Sequence, residues 1–151
     1  MASKTLNVCV LMFVATSMVL AASPLCMYDL EKTSAELGLA GTNMLYAEKD
    51  CFSNATQCTT DLRTALSHLG NATANITKAA IDCVGTSDVC TKDIENITAA
   101  LANSTLDISA ALKSCSSPVQ AQCAKAVTLG GIGVGKVALF LVIGVKDCDT
   151  P

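Results

Sequence analysis

Large apolar residues recur at steps of seven in four stretches of the chain. Leu30, Leu37 and Met44 form one set, and Leu62, Leu69 and Ile76 a second. Ile94, Leu101 and Ile108 form the third, and Val127, Val134 and Leu141 the fourth. Residues one step of four beyond each member are expected to widen every set into a stripe. Steps of seven and four share one face of a helix, whereas a half-buried strand would alternate. The pattern predicts four amphipathic helices and an all-α fold. Pro24, Pro118 and Pro151 lie outside the four stretches. Uninterrupted helices require this, because an interior proline removes a backbone hydrogen bond and clashes with the preceding turn.

Cysteines bracket each stretch at a constant separation of 25: Cys26 and Cys51, Cys58 and Cys83, Cys90 and Cys115, Cys123 and Cys148. The chain is a fourfold C-x24-C repeat over 26–51, 58–83, 90–115 and 123–148, joined by linkers of six or seven residues. Three positions after the opening cysteine stand Asp29, Asp61 and Asp93, expected in the first helical turn at the positive end of the macrodipole. Near the closing cysteine stand Lys49, Lys113 and Lys146, at the negative end. Ala126 and Ile81 depart from these two rules. Linkers this short make neighbouring helices antiparallel, so the fold expected is an up-down-up-down bundle or two stacked αα-hairpins.

Helix rise limits the disulfides. Cysteines 25 residues apart on one helix are about 37 Å apart, and a disulfide needs Cα atoms within about 7 Å. No unit closes on itself. The favoured pairing is Cys51–Cys58, Cys83–Cys90 and Cys115–Cys123 across the turns, with Cys26–Cys148 closing the bundle. The alternative joins Cys26 to Cys83 and Cys90 to Cys148 and keeps two turn staples, which clamps two hairpins separately.

Composition places this repeat in a compartment. Lys4, the apolar run Leu6–Leu20 and the small residues Ala21, Ala22 and Ser23 read as a secretory signal peptide over 1–22. Cleavage would remove Cys9 and leave eight cysteines in a domain of residues 23–151. An even count behind a signal peptide reads as a disulfide framework, in a secreted, extracellular or cell-surface protein. The net charge of −3 and pI near 4.9 argue against nucleic acid as a partner. With few aromatics and no Trp, the core is expected to be aliphatic and rich in alanine.

Five asparagines, Asn54, Asn71, Asn75, Asn96 and Asn103, have Thr two residues on and no Pro between. These are N-glycosylation acceptors in a secreted chain, so N-linked glycans are expected partners. Helical spacing clusters the last four on one face, nearly opposite the stripe of large residues. Asn71 and Asn75 are one turn apart, which disfavours occupancy of both.

The fourth unit keeps the cysteines and loses the polar face. Between Val127 and Val145 only Thr128 and Lys136 are markedly polar. Such a helix is buried, presents an apolar flank to another molecule, or lies in a membrane. Burial is the favoured expectation, and membrane contact through residues 127–145 the least favoured. If the flank is open, Leu129, Val137, Phe140 and Ile143 form the interaction face, for self-association or another extracellular protein. Gly131 and Gly135 are spaced for close helix approach.

Chemistry-bearing constellations are sparse. Gly130 to Lys136 begins a phosphate-binding loop, but Val137 follows where Ser or Thr is needed and no strand precedes. His68, the single histidine, is expected on a solvent-exposed face. No C-x2-C pair suggests a metal, and paired cysteines leave no nucleophile. No catalytic residue, metal ligand or cofactor is assigned, and the chain is not expected to be an enzyme.

The repeat in Cys58–Cys83 and Cys90–Cys115, with Asp at its third position and a Leu/Ile stripe, resembles Cys-bounded helical repeats of secreted proteins of unicellular algae, dinoflagellates especially. The resemblance implies a helical secreted protein and brings no activity with it. The functional expectation is a secreted, glycosylated structural or interaction protein of the cell surface or extracellular matrix. A carrier of lipid or pigment in the bundle interior and an inhibitor of a secreted enzyme are the alternatives.

Overall fold

The computed structural model describes residues 23–116 and 120–149. The signal-peptide reading of residues 1–22 and the proline at 118 lie outside them. Four helices follow in order: α1 (Pro24–Asp50), α2 (Ala55–Asp82), α3 (Asp88–Cys115) and α4 (Gln120–Asp149). Each begins two or three residues before the opening cysteine of its unit. Ser23 caps α1 by accepting from the Cys26 amide at 3.0 Å, with Pro24 in the first turn. Asn54 caps α2 and Ser87 caps α3 in the same way. These side chains satisfy amides that the helix itself leaves unpaired. Gly85, with φ 90°, turns the chain between α2 and α3, a conformation that costs other residues a Cβ clash.

The helices pack around a square. α1 lies mainly against α2 and α3 mainly against α4, with lesser contact between α2 and α3 and between α1 and α4. The all-α bundle of antiparallel neighbours is therefore observed, with the hairpin pairs the more intimate.

Burial shows why the cysteines are 25 apart. In α2 and its C-cap the buried apolar positions are Cys58, Leu62, Ala65, Leu69, Ala72, Ile76, Ala79 and Cys83. The steps alternate four and three, a heptad seam that begins and ends on cysteine. α1 and α3 follow the same register. α4 does so with Cys123, Val127, Gly130, Val134, Val137, Leu141, Gly144 and Cys148. Large residues occupy alternate layers. Between them come mostly small ones, Thr33, Ala40 and Ala47 in α1 and Gly130 and Gly144 in α4, with Ile97 and Val137 the larger exceptions. This corrects the widening expected from sequence, which fell one residue too far along. Ser34 and Thr98 at those positions are exposed. Small layers allow the helix axes to approach toward the lower end of the 8–10 Å range. The buried hydroxyls are satisfied within their own helices: Thr33 donates to the Asp29 carbonyl at 2.8 Å and Ser104 to that of Ala100 at 2.9 Å.

The pairing is Cys26–Cys83, Cys51–Cys58, Cys90–Cys148 and Cys115–Cys123. The expected Cys83–Cys90 and Cys26–Cys148 bonds are thus replaced. The reason is the hairpin packing, which sets Cys26 beside Cys83, with Cα atoms 4.9 Å apart, and Cys90 beside Cys148 at 4.7 Å.

Candidate functional site

α4 is the helix whose surface differs. It is the one described helix long and apolar enough to cross a membrane, yet only 28% of its most apolar 18-residue stretch is buried within the chain. The expectation that α4 is the most buried helix is overturned. Its seam is filled like the others, but Leu129, Ile132, Leu139, Phe140, Val142 and Ile143 all face outward. Leu139 is 61% exposed and Val142 69%. Of the expected interaction face, Leu129, Phe140 and Ile143 are exposed, while Val137 at 0% belongs to the core. Val137 sits on the three-residue step of the seam, which a stripe drawn from large residues alone passes over. Ile132, Leu139 and Val142, which lie outside the seam, were not among the residues expected on that face.

Among the described residues, grooves lie on both flanks of α4. The larger, about 600 Å³, runs between α1 and α4. Leu37, Met44, Val134 and Leu141 form its base. Gly38, Gly131 and Gly135 leave its walls without side chains, and a Cβ at any of them would meet nothing within 4 Å. Gly131 and Gly135, expected to allow close helix approach, instead border open space. The close approach belongs to other glycines. A Cβ on Gly133 would stand 2.8 Å from Ser104 Oγ and 3.3 Å from Ser104 Cα, and one on Gly130 would stand 2.9 Å from Ile108 Cγ1. Both contacts are to α3. The smaller groove, about 430 Å³, lies between α3 and α4 and includes Asn96, Asn103, Lys136 and Phe140.

The sequons sit on the flanks of the helices. Asn54, Asn71, Asn96 and Asn103 are exposed and Asn75 half-buried. Asn96 and Asn103 border the α3–α4 groove, so the expected placement opposite the stripe does not hold for them. Adding the small layers recentres the seam toward these positions. Asn71 donates to Glu36 Oε2 at 3.3 Å.

His68 is likewise engaged, not simply exposed. Its Nδ1 pairs with Glu36 Oε2 at 2.7 Å, linking α2 to α1. The hydrogen bond from His68 holds the Glu36 carboxyl below its ordinary value against the opposing effect of burial.

The repeated aspartates also differ from expectation. Asp29 and Asp61 lie beyond the first turn of their helices and are buried. Asp29 on α1 meets Asp82 at the end of α2, and Asp93 on α3 meets Asp147 at the end of α4. Desolvation, then hydrogen bonding and repulsion from the partner carboxyl, raise both Asp29 and Asp93 above their ordinary values, with Lys78 and Lys32 opposing at Asp29. Asp61 accepts from Gln57 Nε2 at 3.0 Å through Oδ1. The carboxyl pairs stand beside the Cys26–Cys83 and Cys90–Cys148 bonds.

At the opposite end, the sulfurs of Cys51, Cys58, Cys115 and Cys123 lie within 4.8 Å of one another. Bonded as two disulfides, they offer no thiolate to a metal. The site features the structure brings together are therefore surfaces: an apolar helix and its two grooves. No family model, no curated protein and no solved structure matches this chain.

Proposed function

We propose that this protein is a secreted, N-glycosylated interaction protein of the cell surface or extracellular matrix that associates with a second copy of itself through α4. One observation carries this reading: the row Ile132, Leu139 and Val142 is exposed beside an apolar groove that no described residue fills. Contiguous apolar surface of this kind on a soluble protein marks an association site. Four disulfides are typical of extracellular proteins.

The clamps argue against a membrane span. α4 is bonded to α3 near both of its ends. Insertion of α4 would carry along Glu95 and Asp107 of α3, and a charged residue at mid-bilayer costs roughly 2.5–3.5 kcal/mol on insertion scales.

Light scattering of native glycosylated protein tests the reading. A mass above the monomer, rising with concentration and abolished by Val142→Glu, is expected. A monomer at all concentrations overturns it. A second reading is favoured by the glycine-walled groove, whose volume of about 600 Å³ falls within the range of small-molecule sites. The protein would then carry an apolar ligand between α1 and α4, not in the bundle interior, which side chains fill. Solvent extraction of native protein followed by mass spectrometry would recover a stoichiometric apolar molecule; an empty extract removes this reading.

A further inference from the structure

We propose that the first sugars of an N-glycan on Asn103 lie along the α3–α4 groove, against Lys136 and Phe140, and cover that flank of α4. The proposal rests on the reading of the sequons as glycosylated.

The groove is amphipathic. Leu129 and Phe140 present apolar surface, while Asn103, Asp107 and Lys136 present polar groups. Phe140 is 38% exposed, so its ring is partly covered and partly free. An acyl chain or an apolar helix seated here would desolvate Asp107 and Lys136 without offering partners, which is costly. A pyranose suits both kinds of lining. Its C–H face packs on apolar side chains and on the electron-rich face of an aromatic ring. Its hydroxyls donate to a carboxylate and accept from an ammonium group.

Geometry supplies the occupant. Asn103 belongs to the lining itself, so a sugar on its amide nitrogen begins inside the groove. Tethering makes the docking intramolecular, and an effective concentration in the millimolar range populates even a weak contact. Gly133 of the lining packs against Ser104 of α3, so the two helices approach closely along this groove. Asn54 differs, since its side chain caps α2 and is absent from either groove. The α1–α4 groove contains no sequon asparagine. The sugars would thus cover one flank of α4 and leave the other free to associate.

The test uses the full chain secreted from an N-glycosylating host, with site occupancy read by peptide mass spectrometry. Release of each glycan from native protein by an endoglycosidase is then timed. Cleavage follows the population of the unseated sugar, so release at Asn103 is expected to be about tenfold slower than at Asn54. Phe140→Ala and, separately, Lys136→Ala should raise the Asn103 rate toward the Asn54 rate, with helicity unchanged by circular dichroism. A glycan present at Asn103 but released as fast as that at Asn54 overturns the seating alone. An unoccupied Asn103 overturns both the seating and the glycosylation of that site, and the mass spectrum separates the two outcomes.

Discussion

The two hairpins are built alike and surfaced differently. α1–α2 and α3–α4 each carry one long-range disulfide at the open end, one staple across the turn and one aspartate pair beside the long-range bond. Their seams share one heptad register. Outside the seam they diverge. α2 is polar, with His68 tied to Glu36 of α1, whereas α4 exposes a row of aliphatic residues. A cysteine-bounded seam therefore specifies packing and leaves the outer face free to change. The outer face that changed, on α4, is the one that carries the proposed association surface.

The strongest way to break this likeness is to remove the disulfides in turn. Loops of 57 and 58 residues are closed by Cys26–Cys83 and Cys90–Cys148. The chain-entropy relation gives about 4 kcal/mol for each and about 2 kcal/mol for a turn staple. Cys26→Ala with Cys83→Ala should therefore cost about twice as much as Cys51→Ala with Cys58→Ala, by guanidinium unfolding. The same ratio is expected in the second hairpin. A staple that costs as much as a long-range bond would show that the hairpins are not clamped as units.

Glycine substitutions sharpen the contrast within α4. Gly133→Ala drives a Cβ against the backbone of α3 and should destabilise by about 1–3 kcal/mol. Gly131→Ala and Gly135→Ala meet open space and should stabilise by up to about 1 kcal/mol through helix propensity. If these two glycines serve association, the same substitutions should weaken self-association while raising the melting temperature. Equal effects of all three on stability would deny that the two flanks of α4 differ.

The smallest effect expected is in pH dependence, and it tests what the hairpins share. Asp29 and Asp93 are raised from the ordinary 3.8. Their folded-state advantage is present below 3.8 and is lost as pH rises through the raised values. Glu36, lowered from 4.5, acts oppositely: its contribution is present above 4.5 and is lost as pH falls through the lowered value. Asp82→Asn and Asp147→Asn should each raise stability at neutral pH and flatten the acid-side dependence, measured by thermal unfolding between acid and neutral pH. Loss of stability at neutral pH in either variant would show that the paired carboxyls do not repel.

Much of this was legible in residue order, for identifiable reasons. Large residues at steps of seven announced the helices, because a side chain that must be buried recurs with the helical period. The fixed cysteine spacing forbade bonds within a unit, because helix rise separates its ends. The small seam residues were illegible: alanine, threonine and glycine are common on either face, and only a neighbouring helix decides that Ala72 or Gly130 is inside. The sequons were visible as motifs, but their place beside a groove followed from where α4 lies.

The sequence by itself thus determined four helices, their antiparallel order and the ends at which cysteines gather. Tertiary structure decided which cysteines bond. Cys26, Cys90 and Cys148 come within 4.8 Å of one another at one end, so proximity permits more than one pairing there. The closer packing within each hairpin turns Cys26 toward Cys83 and Cys90 toward Cys148. Tertiary structure also decided that the described residues leave the outer face of α4 uncovered. Hydropathy reports only that a surface avoids water, and whether the chain itself covers it depends on what the other three helices leave bare.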